Sequence, residues 1–355
     1  GKTVVALHRA AHLARSYPDA RILLTTFSDI LANALQTKLH RLISSEPRLA
    51  ERIEVFSMNS VGQRLYTRQW GTPQVASDAH IEELVQAEAQ EHPDSPFSTA
   101  FVLAEWHQVI DAWQLETWEG YKTVTRSGRR NRLPEPQRGI LWPIFEGVRR
   151  RLDDDGLTTA SQMFNRLASA LGEFTHPPYD YVVVDEAQDI SVSQLRFLST
   201  LTRTESDRLF FAGDLGQRIF QPPFSWKELG VDVRGRSRTL RINYRTSHQI
   251  RRQADLLLDP EIADVDGNVE DRSGTISVFN GPRPVIHVCD SNEQEIASVA
   301  EWIVAHSQQG VAPHEFGVFV RSEDEVERAV AAVKKAGLDH RLIDERMATT
   351  TGRVS

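Results

Sequence analysis

The stretch YDYVVVDEAQDIS constrains the fold more than any other part of this chain. Three consecutive valines, Val182 to Val184, predict a short buried β-strand, and Asp185 and Glu186 follow at its carboxyl end. Ligands of parallel α/β sheets bind outside the carboxyl ends of the strands. Two adjacent acids in that place suit a hydrolytic site in which Asp185 holds Mg²⁺ and Glu186 activates the attacking water. The alternative is a helix N-terminus, where the helix dipole favours acidic residues.

A second apolar strand with a polar end occurs in RLFFAGDLGQRIF. Leu209 to Ala212 read as the strand, Gly213-Asp214 as a turn, and Gln217 lies just beyond. A glutamine at a strand end can hydrogen-bond both a terminal phosphate and the lytic water, so it could sense the bound nucleotide. The alternative is a Gly-Asp turn that only joins a strand to a helix.

The chain opens with Gly1-Lys2-Thr3, which matches the closing half of the phosphate-binding pattern G-x-x-x-x-G-K-[ST]. A helical spacing of apolar residues follows and stops at Pro18, and residues 21–27, RILLTTF, predict a buried strand. A helix that begins at a phosphate loop and leads into a strand is the expected setting for an anion at a helix N-terminus. The alternative is an ordinary surface tripeptide.

Further along, SRTLRINYRTSHQI predicts a strand, the tripeptide Asn243-Tyr244-Arg245, and a helix that starts near Ser247. Tyr244 could stack on a nucleobase and Arg245 could reach a phosphate. The alternative is a core tyrosine at a strand end beside a solvated arginine.

The length of 355 residues allows two or three domains with hydrophobic cores. A net charge of −8 argues against a generally basic nucleic-acid-binding coat but permits a local basic channel. Only six of the 41 basic residues are lysine; arginine suits phosphate and base contacts, although genome composition explains the bias equally well.

The single cysteine, Cys289, suits a reducing compartment and is expected in the core. No apolar run reaches the roughly 18 residues of a membrane span.

Residues 75–165 have little β character and read as an all-helical insertion. Its tryptophans are expected in its core; they are Trp106, Trp113, Trp118 and Trp142. Its loop TRSGRRNRLPEPQR is the best basic patch of the chain, with Arg126, Arg129, Arg130, Arg132 and Arg138. Phosphate contact and simple solvent exposure are both open for this loop.

A second α/β unit is predicted from about residue 237 onward. The stretches PVIHVCD, EFGVFVR and HRLID read as strands. EQEIASVAEWIVAHSQ and EDEVERAVAAVKKAG read as helices that follow the first two of them.

Taken in chain order, GKT, TTFSDILANAL, VFSMNS, VVVDEAQD, AGDLGQRIF and LRINYRTS resemble the UvrD/Rep group of superfamily 1 helicases. The resemblance covers nearly the whole chain and implies an α/β fold of two RecA-like P-loop NTPase lobes with parallel sheets. The first lobe would comprise residues 1–74 and 166–236, the second, incomplete lobe residues 237–355. The resemblance also implies a fragment cut at both ends, with ATP between the lobes.

The resemblance implies roles for the residues at the ATP site. Lys2 would bind the β- and γ-phosphates, Gly1 would belong to the same ATP-binding loop, and Thr3 and Asp185 would hold Mg²⁺. Glu186 would be the catalytic base, Gln217 the γ-phosphate sensor, Arg245 an arginine finger from the second lobe, and Tyr244 an adenine-stacking ring.

For DNA, the resemblance points to strand-end residues, namely Thr26, Phe27, Ser57 and Asn59. The family usually has threonine and histidine at the last two places. Phe220 lies where the family has a base-stacking aromatic residue. The tryptophan usual two residues later is Pro222 here, and the nearby Phe224 and Trp226 could replace that platform.

These implications predict an ATP-dependent helicase or translocase that moves 3′ to 5′ on single-stranded DNA and acts at single/double-strand junctions. We expect a cytoplasmic, nucleoid-associated bacterial protein of DNA repair with ATP and Mg²⁺ as cofactors. Two alternatives stay open: the translocating subunit of a nuclease or repair complex, and a nucleotide-gated clamp that does not unwind.

Overall fold

The structure is a computed structural model and describes residues 1–124, 133–173, 176–202, 207–214, 217–218, 223–257, 261–267, 269–271 and 274–342. The chain divides into two compact units, Gly1–Gly281 and Pro282–Ser355.

The first unit alternates helices and strands at its start and again at its end, with a run of helices between. Its α-helices are α1 (Lys2–Ser16), α2 (Asp29–Leu42), α3 (Met58–Trp70), α4 (Asp78–Glu91), α5 (Thr99–Glu105), α6 (Trp118–Thr123), α7 (Glu135–Asp154), α8 (Ala160–Gly172), α9 (Val192–Thr200) and α10 (His248–Asp255). A π-helical segment, Trp106–Asp111, continues α5. Its strands are β1 (Ile22–Thr26), β2 (Ile53–Ser57), β3 (Tyr181–Asp185), β4 (Leu209–Ala212), β5 (Ile242–Asn243), β6 (Glu261–Ala263), β7 (Val269–Asp271) and β8 (Ile276–Ser277).

The strands β1 to β4 form a parallel sheet in the order β2-β1-β3-β4. The predicted strand at Leu209–Ala212 is confirmed with the same bounds. In the register, Thr26 lies opposite Ser57 and Asp185 lies opposite Ala212. All four strands therefore end at one edge of the sheet, which we call the carboxyl edge. The predicted α/β class with a parallel sheet is confirmed.

The sheet is covered on both faces, because neighbouring side chains of a strand point to opposite sides. Val182 and Val184 pack into one core with residues of α3, α8 and α9. Val183 packs into the other core with residues of α1 and α2. Serine or threonine side chains begin most of these helices by accepting a hydrogen bond from the first turn, for example at α2, α3, α8 and α9.

The helices α4 to α7 enclose a core of their own. Trp106 and Trp142 are buried in it and Trp118 packs against it, as predicted. Trp113 instead packs against the core beneath α3, α8 and α9. Arg138 is half-buried rather than simply exposed, and its guanidinium donates to carbonyl oxygens of Leu133, Lys122 and Val124. The other four arginines of the predicted patch lie outside the described residues.

The second unit contains α11 (Asn292–Gln308) and α12 (Val326–Lys335), which confirm the two predicted helices. They share a small core with Phe316. The strands predicted at PVIHVCD and EFGVFVR are wrong for the described residues, because both segments run without ladder partners. Val288 is 90% exposed and no residue of PVIHVCD is buried, so this segment lacks the buried face that would fix a strand. EFGVFVR does bury Phe316, but it pairs with no strand among the described residues, and its Phe319 is 94% exposed. HRLID forms no strand within its described part, and Cys289 is half-buried rather than a core residue.

The division after Gly281 differs from the predicted lobe boundary after residue 236. Asp266, which lies beyond residue 236, forms hydrogen bonds with residues 225–227 of the first unit. Its carboxylate accepts hydrogen bonds from the backbone amides of Trp226 and Lys227 at 2.7 and 3.2 Å, and from the hydroxyl of Ser225. The predicted lobe limits stay a prediction.

Within the described ranges, every helix is too short or too polar to cross a membrane.

Gly62 offers a direct test of the packing between α3 and α8. A Cβ at this position would lie 2.6 Å from Cε1 of Phe164 and 2.9 Å from Cε of Met163. Both neighbours are buried, so Gly62→Val should lower the free energy of unfolding by about 1–3 kcal/mol, measured by urea titration. The matched control is Gly172→Val at the end of α8, where a Cβ meets nothing within 4 Å. Equal losses in the two variants would contradict the packing described here.

Candidate functional site

Lys2 lies at the start of α1 and points toward the carboxyl edge of the sheet. Its Nζ is 3.1 Å from Oδ2 of Asp214, which follows β4. The same oxygen accepts a hydrogen bond of 3.1 Å from the side chain of Gln217. The structure thus brings together Lys2 and Gln217, both predicted site residues, through a carboxylate to which the sequence analysis gave no role.

Thr3 and Asp185 meet beside this group, since the Thr3 hydroxyl donates a hydrogen bond to the Asp185 carboxylate. Asp185 is only 5% exposed. Burial raises the pKa of Asp185, and the neighbouring charge of Glu186 adds to the rise, whereas the Thr3 hydrogen bond opposes it. A hydroxyl and a carboxylate are oxygen ligands of the kind that Mg²⁺ takes when substrate phosphates complete its shell. The residues present therefore fit a magnesium ion.

Glu186 adopts a left-handed backbone conformation, with φ 54° and ψ 44°. Such a conformation is uncommon outside glycine and costs of order 1 kcal/mol or more. It turns the chain sharply after β3, so that Asp185 and Glu186 leave the strand in different directions. The conformation is held by the packing of the next residue, Ala187, into the core.

Gln188 links the two strand ends, a role that the sequence analysis missed. Its Nε2 donates to Glu186 at 2.8 Å and to Asp189 at 3.2 Å. Its Oε1 accepts from the backbone amide of Asp214 at 3.0 Å. The signal available in the sequence was the amide side chain between acids in DEAQD.

Gly213 is required by the same contact. A Cβ at this position would lie 3.0 Å from both the backbone nitrogen and Oε1 of Gln188. The two segments could then not approach closely enough for the hydrogen bond between Gln188 and Asp214. The glycine of the predicted turn thus permits close packing between β3 and β4 ends.

The strand-end residues predicted to bind DNA lie on the same edge in the register. Thr26 is buried, and its Oγ1 has no hydrogen-bond partner among the described residues, whereas Phe27 is 43% exposed. Ser57 is buried and its hydroxyl caps α3 by accepting from the amide of Ser60 at 3.2 Å. Asn59 is exposed on the first turn of α3.

Phe224 and Trp226, the predicted base-stacking residues, are less accessible than the prediction requires. Phe224 is buried beneath the guanidinium of Arg218 and cannot stack on a base. Trp226 is half-buried and meets Phe211 edge-on, with ring centroids 4.8 Å apart. Phe220 and Pro222 lie outside the described residues.

Tyr244 and Arg245 stand on an exposed turn after β5. The side chain of Asn243 shapes this turn by accepting hydrogen bonds from the amides of Arg245 and Thr246, at 2.9 and 3.1 Å. Tyr244 is 65% exposed, so it is not the core residue of the alternative interpretation. Its contact with adenine and the finger role of Arg245 stay predictions.

A family model described as the UvrD/REP helicase N-terminal domain matches residues 1–224 of this chain. The chain belongs to the UvrD/REP helicase family. The match spans Lys2, Asp185 and Gln217, so the network at the carboxyl edge lies wholly within the region that carries the family resemblance.

Two curated proteins are similar to this chain. A Bacillus subtilis (strain 168) protein named "Putative ATP-dependent DNA helicase YjcD" is 22% identical over 350 residues, which cover 91% of this chain and 43% of that protein. The guanylate kinase of Zymomonas mobilis subsp. mobilis is 31% identical over 85 residues, 24% of this chain and 39% of the kinase. The chain thus spans less than half the length of either relative.

The buried charge of Asp185 predicts a pH-dependent stability. Its folded-state pKa lies above the ordinary value of 3.8, so the wild type loses stability as the pH rises from about 4 through the folded pKa. Asp185→Asn does not titrate and should raise the melting temperature by about 2 °C at pH 7, with no difference below about pH 4. The measurement is calorimetry in EDTA.

Asp232→Asn serves as the control, because Asp232 is an exposed carboxylate whose pKa is lowered by its hydrogen bond from Arg234. This variant should not raise the melting temperature at pH 7. A lower melting temperature for Asp185→Asn at pH 7 would refute the raised pKa of Asp185.

Proposed function

We propose that this chain is the nucleotide-hydrolysing and DNA-binding part of an ATP-dependent DNA helicase or translocase. The family membership supports ATP-dependent action on DNA. The observation that carries the proposal is the connected polar network at the carboxyl edge. In it Lys2 and Gln217 share the carboxylate of Asp214, and Gln188 joins that segment to Glu186.

In this proposal Gly1 and Lys2 bind the phosphates and Thr3 and Asp185 hold Mg²⁺. Mg²⁺ held by these residues would supply positive charge to neutralise the charge that develops on the phosphates. Lys2 must exchange Asp214 for phosphate, which its partly exposed side chain at the start of α1 allows.

Glu186 accepts the proton of the attacking water in this scheme, and Gln217 moves from Asp214 to the γ-phosphate. Arg245 then completes the site as an arginine finger, a contribution typically worth about 10³–10⁵ in rate. Tyr244 stacks on the adenine. Hydrolysis would thereby depend on the approach of the segment 243–245, which is the basis for coupling to movement.

We assign the DNA track to the same edge, through Thr26, Phe27, Asn59 and Trp226. Ser57 acts here through its cap on α3 and its position beside Thr26, and Phe220 is proposed from the resemblance alone. Stacking on an aromatic residue contributes about 1–3 kcal/mol per base and needs no particular sequence. The proposed motion is 3′ to 5′ on single-stranded DNA with unwinding at single/double-strand junctions, in a nucleoid-associated role.

The proposed domain plan has two RecA-like lobes, with residues 75–165 as an insertion in the first. The helices α4 to α7, with their separate core, support the insertion. The proposal takes residues 237–355 as part of the second lobe.

Glu186→Gln in the full-length protein tests the base assignment. The amide keeps the size and the hydrogen-bonding shape of the side chain but cannot accept a proton, so DNA-stimulated ATP hydrolysis should fall at least 10²-fold. ATP binding, measured by equilibrium titration, should persist. Glu173→Gln, on the exposed end of α8, is the control. Hydrolysis by Glu186→Gln at near the wild-type rate would overturn the proposal.

Arg245→Ala tests the finger assignment separately. Because the finger acts on charge that develops in the transition state, kcat should fall by about 10³ while the affinity for ATP changes by less than tenfold. Arg252→Ala, on the following helix α10, controls for the loss of a nearby positive charge. Weaker ATP binding with unchanged kcat would contradict the finger role.

A further inference from the structure

Arg218 is the residue directly after Gln217, and its guanidinium is partly buried without a hydrogen-bonding partner for two of its nitrogens among the described residues. The group lies over the ring of the buried Phe224, 4.7 Å from the ring centroid. Its Nε and Nη2 are buried and have no hydrogen-bond partner within the described ranges. Burial lowers the pKa of Arg218, against the attraction of Asp264 and Asp189. Buried unpaired donors of a charged group are costly, so they require an explanation.

Asp189 has a buried acceptor without a partner among the described residues, which complements the unpaired donors of Arg218. Its Oδ2 accepts from Gln188, but its Oδ1 is buried without a partner among the residues that the structure describes. Burial raises the pKa of Asp189, the charge of Glu186 adds to the rise, and Arg218 opposes it. A buried guanidinium with two unused donors and a buried carboxylate with one unused acceptor thus lie within electrostatic range of each other.

The two residues belong to the two arms of the polar network. Arg218 follows Gln217, whose side chain binds Asp214, and Asp214 also holds Lys2. Asp189 shares the amide of Gln188 with Glu186. A shift of residues 217–218 would therefore change the distance between Arg218 and Asp189 while it changes the contacts of Gln217.

We propose that Arg218 is a positioning residue that forms a salt bridge with Asp189 when Gln217 turns from Asp214 to a bound γ-phosphate. This inference rests on the proposed function of the site as an ATPase. The salt bridge joins the segment after β4 to the segment after β3, and so holds Glu186 and Gln217 in place for hydrolysis. A γ-phosphate drives the change because it competes with Asp214 for both Lys2 and Gln217. ADP lacks that group and does not form the bridge.

The test uses the full-length protein and the variants Arg218→Met, Arg218→Lys and Asp189→Asn. Methionine keeps an apolar side chain over Phe224 but removes the charge, whereas lysine keeps the charge but loses the planar fork. Arg218→Met and Asp189→Asn should each lower kcat roughly tenfold, and the double variant should show no further loss. Arg218→Lys should be intermediate.

Two further readouts separate positioning from a structural role. The affinity for a non-hydrolysable ATP analogue should fall in both charge-removing variants, whereas the affinity for ADP should stay unchanged. The melting temperature without nucleotide should not fall in Arg218→Met, because the unpaired guanidinium does not stabilise that state. When the ATP analogue is added, the melting temperature of Arg218→Met should rise less than that of the wild type.

Arg208→Met is the matched control. The guanidinium of Arg208 also lies over an aromatic ring, that of Tyr181 at 4.6 Å, but at the amino end of the paired strands β3 and β4. This variant should keep wild-type turnover and the wild-type preference for the ATP analogue over ADP.

Three results would overturn the inference: additive losses in the double variant, equal losses of ADP and analogue affinity, or a lower melting temperature without nucleotide. Wild-type behaviour of Arg218→Met, with hydrolysis abolished by Glu186→Gln, would refute the role of Arg218 and leave the proposed ATPase intact. Hydrolysis that survives Glu186→Gln would instead refute the proposed function.

Discussion

The pairing of β3 with both β1 and β4 fixes the place of each charged side chain at the candidate site. Val182 and Val184 face one core and Val183 faces the other, so a slip of one residue would reverse both faces of the strand. With the register fixed, Asp185 must emerge at the carboxyl edge opposite the end of β4. The hydrogen bond from the amide of Asp214 to Gln188 then joins the two strand ends.

Several energetic costs lie at this edge, while the two cores beside the sheet are apolar. Asp185 is a buried acid with a raised pKa, and Glu186 holds a left-handed backbone conformation. Arg218 and Asp189 keep buried polar atoms without partners in the described part of the chain. Natural proteins accept such local costs mainly where function needs them, and the surrounding packing offsets them. This distribution agrees with a nucleotide-dependent site at the strand ends.

Local patterns predicted a large part of the fold and of the site. The apolar runs at β3 and β4, the helix that ends before Pro18, and the helices α11 and α12 all follow from periodicity and terminators. The same patterns failed at PVIHVCD and EFGVFVR. A strand also needs a neighbouring strand to pair with, and that neighbour can lie far away in the sequence. Phe224 was expected at a surface, yet it is buried beneath a residue six positions earlier.

By itself, the sequence determined which residue types follow each apolar strand, and hence that acids and an amide would meet at one edge of a parallel sheet. Those facts depend on chain order and on the two-residue repeat of a strand. Lys2 was placed at this edge only by its match to the phosphate-binding pattern. Only the tertiary structure decided which partners these side chains take: Asp214 for Lys2 and Gln217, Gln188 for Glu186, and the α3 cap for Ser57. Hydrogen bonds and ion pairs depend on distances of a few ångströms between residues far apart in the chain, and only the packed strands and helices set those distances.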